Sequence, residues 1–366
     1  MSNNNSLILN YHDACIYNSD IRLLESRTEW LNDSCINYQM RRLEQIRKEE
    51  EQKRKKHDST THQMENNTGE NNQLKRIGIS HVEFIDPSIV SFFMHQLSID
   101  DEDDRDEMVS LCQSWGLGTN KITKITSSIR GGIGEGEASM ILIPINDNNS
   151  VSSLFFQTPG GGNHWSLLVV ISLDMMDTSS SVNSTDEFVH SPEEQLMFFH
   201  FDSMNGSNNS TAVSVARKIQ DMYSLIPIIS HNDDKSTEGR NNEMNINDTN
   251  TSKEQHGIIS SRVASTSFKN LTECHVVQQQ NGYDCGVHTL FAAEVLGKME
   301  YLSLKNTATF HSARNRECYD TTMKNIQDEF EKHIQMFLSD YGTIQDMTKS
   351  LRKSMVQDIR RRSACS

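Results

Sequence analysis

Apolar residues are scarce for a chain of this length. Of 366 residues, 35% are Ala, Val, Ile, Leu, Met, Phe, Trp, Tyr or Cys. Adding glycine brings the figure to about 40%, against the ~45–50% usual in globular domains. The length suits two or three average domains, so either the core is small or polar tracts dilute it. No run approaches the ~18 apolar residues of a membrane span. The opening MSNNNSLILN has neither a basic n-region nor a long apolar h-region, which predicts no secretory signal peptide. Positive charge is also short: 35 Lys and Arg stand against 50 Asp and Glu, a net charge of −15 with pI ≈ 5.4. Such a chain has no overall field to draw nucleic acid or anionic membrane, and neither is expected as a partner.

Paired cysteine motifs are missing too. The seven cysteines (Cys15, Cys35, Cys112, Cys274, Cys285, Cys318, Cys365) are odd in number and contain no CxxC. That fits neither a disulfide scaffold nor a zinc ribbon. Free thiols in a reducing compartment, cytoplasmic or nuclear, are expected, with no metal and no cofactor. Asn-x-Ser/Thr triplets, as at Asn32 and Asn205, read as chance in an Asn- and Ser-rich chain. No internal repeat stands out. GGIGEG at 131–136 has neither the GxGxxG nor the Walker spacing with its Lys, so no phosphate loop is read there.

Three polar tracts explain the apolar deficit. Residues 44–75 begin charged, continuing a helix, and end polar and aperiodic; 177–194 are rich in Ser, Thr and Asp; 230–267 are dense in Asn, Asp, Ser and Thr. None buries enough apolar area to offset its own ordering, so they read as insertions in surface loops, or as disorder. The Lys/Arg cluster at 47–56 could serve nuclear import or a partner, but its interspersed glutamates favour a solvated helix face. Residues 100–107 read as a solvated acidic loop rather than a metal site.

Between the tracts, periodicity predicts structure. Ile36, Met40, Leu43 and Ile46 mark an amphipathic helix with Asp33 as N-cap. HVEFI from His81 is a strand, followed by a helix opened by Asp86-Pro87. MILIPI from Met140, LLVVISL from Leu167 and QLMFFHFDS from Gln195 read as strands, and residues 211–226 as a helix. ECHVVQQ from Glu273 reads as a further strand. The turn Asn281-Gly282-Tyr283-Asp284 then leads into a mostly apolar helix from Cys285 through Leu302. Two amphipathic helices close the chain, the last ending in Arg360-Arg361-Arg362, where basic residues favour the helix dipole.

One constellation carries chemistry. A cysteine at a helix start faces unsatisfied N–H groups that favour thiolate, and Cys285 lies there between Gly282 and Gly286. His164 sits where a Gly-rich loop meets a strand, placed to act as base. Asp202 ends the next strand, placed to orient it. Gln279, six residues before Cys285, can donate its amide to an oxyanion together with the Cys285 N–H. Taken singly, each has a plainer reading: a buried thiol, a structural histidine, a turn aspartate. Gln278 and Gln280 are equal donors by composition.

At these residues the sequence resembles the ubiquitin-like-protein proteases, the Ulp or sentrin/SUMO-specific protease family. The carriers are GGNHWSLLVV (161–170), FFHFDS (198–203) and QQNGYDCGV (279–287), in the order His, Asp, Gln, Cys. The segment ending in WLND (to Asp33), VEFIDPSIVSFF (82–93) and ILIPINDN (141–148) extend the likeness and favour its deneddylase branch. The resemblance implies an α+β, papain-like fold with the nucleophile at a helix N-terminus and His and Asp on a central sheet. It implies a protease domain over 1–305, interrupted by the polar tracts, and a helical extension over 306–366. It implies Cys285 as nucleophile, His164 as base, Asp202 as its orienter and Gln279 as oxyanion donor. Trp30 and Trp165 would wall a tunnel over the substrate's C-terminal Gly-Gly, and Asp33 would meet the modifier. The implied activity is that of a cysteine isopeptidase releasing a ubiquitin-like modifier, Nedd-type favoured and SUMO the runner-up, acting as a monomer. A non-catalytic module binding the same modifier, or a scaffold working through its polar tracts, are the competing classes.

Overall fold

A computed structural model describes residues 5–58, 75–117, 137–147, 164–173, 196–226, 271–304 and 316–365. The tracts at 177–194 and 230–267, the second half of the tract at 44–75, and the GGIGEG run lie outside these residues. So do Gly161, Gly162 and Asn163 of the loop before His164.

The chain opens with a hairpin, β1 (Leu7–Tyr11) and β2 (Ala14–Tyr17). Its two-residue turn, His12-Asp13, holds both residues at positive φ, 48° and 68°, the geometry that matches strand twist. Helix α1 (Asn18–Glu25) follows, then α2 (Asp33–Asp58). Asn32, not Asp33, caps α2: its Oδ1 accepts from Cys35 N at 3.0 Å, while its Nδ2 donates to Asp20 Oδ1 at 2.8 Å. Asp33 is the first helical residue, where a negative charge suits the dipole.

Six strands form the central sheet: β3 (Lys75–Phe84), β4 (Glu137–Asn146), β5 (Trp165–Leu173), β6 (Leu196–Phe201), β7 (Leu271–Cys274) and β8 (Tyr301–Leu304). Their order is β7-β6-β5-β4-β3-β8. The β4–β5, β5–β6 and β3–β8 pairs are antiparallel; β3–β4 and β6–β7 are parallel. β4, β5 and β6 read as nearly unbroken apolar runs because both faces are covered. Trp165, Leu167, Val169 and Ile171 face one apolar cluster, whereas Leu168 and Val170 face the other.

The second face is covered by α3 (Pro87–His95), α4 (Glu102–Ser114) and α5 (Asn209–Leu225). Asp86 caps α3 as predicted, accepting from Ser88 N at 2.8 Å ahead of Pro87. Residues 100–107, read from sequence as a loop, instead open α4. The Asp101 side chain accepts from Asp103 N, and Glu102, Asp103 and Asp104 occupy the positive first turn. What makes the helix pay is one-sided burial of Met108 and Cys112.

The first face carries α1, α2, α6 (Cys285–Gly297), α7 (Arg316–Ser339) and α8 (Ile344–Ser363). The apolar run from Cys285 does not stay helical to Leu302. At its end the Arg47 guanidinium of α2 donates to the carbonyls of Gly297 (2.6 Å) and Met299 (3.1 Å). The Gly297 carbonyl is one of those a helix end leaves unpaired. Tyr301–Leu304 then pairs with β3 as an edge strand. The strand expected over 273–279 is likewise shorter. It leaves the ladder after Cys274, and the His275 N–H donates to Glu331 Oε1 at 2.8 Å.

The helices beyond residue 305 contribute Met323, Ile326, Phe330, Met347, Leu351, Met355 and Ile359 to the same apolar cluster as α6. α8 is fastened to α2 by buried Asp358. Its Oδ2 accepts from Tyr38 Oη at 2.7 Å and from Arg362 Nε at 2.8 Å, and lies 3.3 Å from Arg42 Nε. Burial would raise the Asp358 pKa, but Arg362, Tyr38 and Arg42 outweigh it and hold the carboxyl below its usual range. The terminal arginines are thus partners of particular groups: Arg361 and Arg362 of Asp358, and Arg360 of Glu25. Asp358→Ala should lower stability by about 1–3 kcal/mol, because it strands the buried Tyr38 hydroxyl and leaves the half-buried Arg42 and Arg362 without their carboxylate. Tyr38→Phe removes one neutral donor only and should cost nearer ~1 kcal/mol. Urea unfolding of the two variants against the parent checks the ranking.

Candidate active site

The antiparallel pairing of β5 and β6 decides which side chains meet. Leu167 stands opposite Phe201, which sets His164, just before β5, beside Asp202, just after β6. His164 Nε2 lies 2.6 Å from Asp202 Oδ1, and both residues are buried. A carboxylate only accepts, so Nε2 carries the hydrogen and Nδ1 is left for another partner. The Cys285 thiol acts on the imidazole as a hydrogen-bonding group and as a charge. Nδ1 has no hydrogen bond of ordinary geometry. Such contacts commonly tighten only when substrate arrives. Burial alone would lower the His164 pKa; the bonds from Asp202 and Cys285 and their negative charges outweigh it and raise it to about 9.

Asp202 is itself held on both oxygens. Oδ1 also accepts from Met204 N at 2.8 Å, and Oδ2 accepts from Asn208 N at 3.0 Å. These bonds close a tight loop whose Asn205 and Gly206 have φ of 57° and 78°. Burial would raise the Asp202 pKa, but His164 and the two backbone N–H groups keep it below the ordinary carboxylate range. Behind this loop, Asn208 Nδ2 donates to Ser166 Oγ at 2.9 Å, and Ser166 Oγ lies 3.0 Å from His200 Nε2. Burial pushes His200 down to about 4, so it stays neutral behind the charged pair. Asp147 braces the other side. Its backbone N donates to His164 O at 3.1 Å, and His164 N donates to its Oδ1 at 3.3 Å.

Cys285 is the first residue of α6 and is fully buried. The preceding Asp284 occupies the N-cap position, yet its side chain makes no cap hydrogen bond. The carboxylate turns instead to Asn281 Nδ2 (2.8 Å) and Arg352 Nη2 (3.2 Å). Asn281 Oδ1 in turn accepts from Tyr283 N and Asp284 N. Gly286 is needed for close approach: a Cβ there would lie 3.1 Å from Leu31 Cβ and 3.4 Å from Trp165 Cδ1. Gly282 has no such role, since a Cβ would meet nothing within 4 Å. Cys35 and Cys274 have thiol pKa values raised by burial.

Gln279 lies in the loop leading to Cys285. Its backbone N donates to Ser203 O at 3.0 Å, its Oε1 accepts from Ser203 Oγ at 2.9 Å, and its Nε2 donates to Asn281 O at 2.6 Å. Gln278 and Gln280 are exposed. Trp165 is buried and its Nε1 donates to Leu31 O at 3.0 Å, which bonds it to the chain carrying Trp30. Trp30 is 39% exposed. Asp33 is half-buried nearby in sequence, its pKa raised by burial and by the charge of Asp86. Sequence reasoning gave no role to Asn208, Ser166, His200, Asp147, Ser203, Asn281, Asp284 or Arg352. Asp147, Ser166, His200, Ser203, Asn281 and Asp284 stand inside the recognised blocks; Asn208 and Arg352 carry no local signal at all. Among the described residues no group of three or more His, Cys, Asp or Glu could hold a metal ion, and no helix is long and apolar enough to cross a membrane.

A thiol at a helix N-terminus, acting on a sheet-borne His–Asp pair within an α+β scaffold, is the arrangement of a papain-like cysteine peptidase. The model of the Ulp1 protease family, C-terminal catalytic domain, matches residues 136–341, and the chain belongs to that family of cysteine peptidases. It is 24% identical over 297 residues to a probable sentrin-specific protease 8 of Dictyostelium discoideum, covering 80% of this chain and 76% of that one. A solved structure described as that of the de-sumoylating protease covers 94% of this chain and 93% of its own, at 14% identity and a TM-score of 0.32.

The folded pKa of His164, near 9, exceeds the ~6.5 of an unfolded histidine. Its contribution to stability is therefore complete below pH ~6.5 and is lost as pH rises through about 9. NMR titration of the His164 ring should show a midpoint near 9 in the parent and a lower one in Asp202→Ala. That variant also strands the Met204 and Asn208 N–H groups and should lose about 2–4 kcal/mol in urea unfolding.

Proposed function

We propose that the protein is an isopeptidase and precursor-processing peptidase that cleaves after the C-terminal Gly-Gly of a ubiquitin-like modifier, with Nedd-type modifiers preferred. The observation that carries this reading is the Cys285 thiol at the start of α6, acting on a His164 ring that is bonded to Asp202. Cys285 thiolate attacks the glycyl carbonyl. Its own backbone N–H and one N–H of the Gln279 amide receive the oxyanion. That amide has two N–H bonds, so serving Asn281 O leaves a second one. The His164 imidazolium then protonates the leaving lysine amine, and water releases the modifier from the thioester.

The indoles supply selectivity for diglycine. Trp165 is fixed by its bond to Leu31 O, and Trp30 is exposed on the same segment, so two flat walls can close on a backbone without side chains. Asp33, in the first turn of α2, stands beside this entry as a contact for the modifier. Preference for a Nedd-type over a SUMO-type modifier is supported by the deneddylase-like blocks around Asp147 and His164. The absence of any paired cysteine motif supports action in the cytoplasm or nucleus.

Modifiers bearing a C-terminal electrophile test the assignment. A Nedd-type probe should label Cys285 at least tenfold faster than a SUMO probe, and Cys285→Ala should abolish labelling while retaining binding. Faster labelling by SUMO would transfer the preference. No labelling by any modifier, with binding intact, would leave a non-catalytic binding module. The rate constant kcat/KM should fall as pH rises past about 9, where His164 loses the proton destined for the leaving group.

A further inference from the structure

Arg352 lies on α8, at the far end of the chain from Trp30 and well removed in sequence from the Cys285 turn. It is buried, at 4% exposure. Its Nη1 donates to Leu23 O at 2.9 Å, and its Nη2 donates to Glu29 O at 2.8 Å and to Asp284 Oδ1 at 3.2 Å. A planar fork matches this set of acceptors, as an ammonium would not. One guanidinium therefore joins the segment that carries Trp30 to the residue immediately before Cys285.

The consequence lies in what Asp284 does not do. An aspartate at an N-cap ordinarily turns its carboxylate onto the N–H groups of the first helical turn. Asp284 occupies that position with no such bond; its two oxygens bond instead to Asn281 and Arg352. A carboxylate swung onto that turn would consume the N–H groups that favour the Cys285 thiolate, and would set a second negative charge against it. The other ionisable groups around this point are His164 and Asp202 from the sheet and His288 one turn along α6, which burial pushes down to about 4. Arg352 and Asp20 also act electrostatically on Cys35.

We propose that Arg352 is a positioning residue which holds the Asp284 carboxylate off the N-terminus of α6, so that the N–H groups and positive end of that helix serve Cys285. The inference rests on the reading of Cys285 as nucleophile, but it is tested without any modifier.

The experiment is the pH dependence of iodoacetamide alkylation, resolved by site with mass spectrometry, with buried Cys112 and Cys274 as reporters of general unfolding. In Arg352→Gln the half-maximal pH for Cys285 should rise by about one unit, slowing alkylation at neutral pH by about tenfold. Arg352→Lys, which keeps the charge, should shift it far less. Adding Asp284→Asn to Arg352→Gln should restore the parent profile, since the amide brings no charge to the helix start. An unshifted profile in Arg352→Gln, or a shift that Asp284→Asn does not reverse, overturns the proposal. If Cys112 and Cys274 react together with Cys285 in Arg352→Gln, that variant has unfolded, and Asp284→Asn alone decides. An unpaired Arg352 should then lower the half-maximal pH, and an unchanged profile overturns the proposal. A parent protein that cleaves no ubiquitin-like substrate defeats the proposed function, yet leaves these alkylation profiles readable.

Discussion

The hydrogen bond between His164 Nε2 and Asp202 Oδ1 is the contact on which the architecture of the site depends. It is short, buried and made between groups that sit just outside adjacent antiparallel strands. A shift of one residue in the β5–β6 register would turn every side chain on β6 to the other face. The apolar load on both faces prevents that. Met197, Phe199 and Phe201 belong to one cluster, Leu196 and Phe198 to the other, and neither set can exchange with the other without exposing aromatic rings. The pair is thus placed by ordinary core packing, while the Met204 and Asn208 N–H groups fix the carboxylate's rotation. Rigid strands supply the base and its orienter, and a separate helix brings the thiol to them.

How much of this was legible in the sequence follows from what kind of signal each element carries. β4, β5, β6 and the helix after Cys285 are apolar and bounded, so composition alone reveals them. The His–Asp–Cys convergence was legible as well, because each residue ends or begins an element. α4 was misread since its opening is acidic; the helix depends on Asp101 as cap and on burial of Met108 and Cys112, a tertiary effect. The end of α6 was misread for a similar reason. Gly297 and the carbonyls that follow are satisfied by Arg47, which lies 250 residues earlier in the chain. The N-cap of α2 moved from Asp33 to Asn32, a one-residue change that pattern reasoning does not resolve.

Contacts made by charged groups at long sequence separation are the part that no local pattern discloses. Arg42, Arg47, Asp358 and Arg352 each sit on an amphipathic helix where a charged residue reads as solvated. In the structure they are the fasteners of the first face. Arg47 closes α6 and touches β3, Asp358 draws α8 onto α2, and Arg352 reaches from α8 to the Trp30 segment. Long polar side chains serve here because the carbonyls of Leu23, Glu29, Ile79, Gly297 and Met299 and the Tyr38 hydroxyl face them. Apolar side chains would leave those groups unpaired.

The overall charge of −15 makes the local arrangement around Cys285 more informative. A thiolate in such a chain needs nearby negative groups to be matched. Of the carboxylates in this part of the site, each is tied to one cation: Asp202 to His164 and Asp284 to Arg352. Both pairs are buried, where water screens little and an unmatched charge would act strongly on its neighbours. His200 and His288, the other imidazoles close by, are held neutral by burial and so add no competing charge. The His164 imidazolium and the helix N-terminus are then the sources of positive potential at the sulfur. Asp284 leaves the helix's N–H groups uncapped and bonds instead to a residue contributed by the last helix of the chain. The C-terminal helix thereby bears on the chemistry proposed for a site to which it contributes no reacting group.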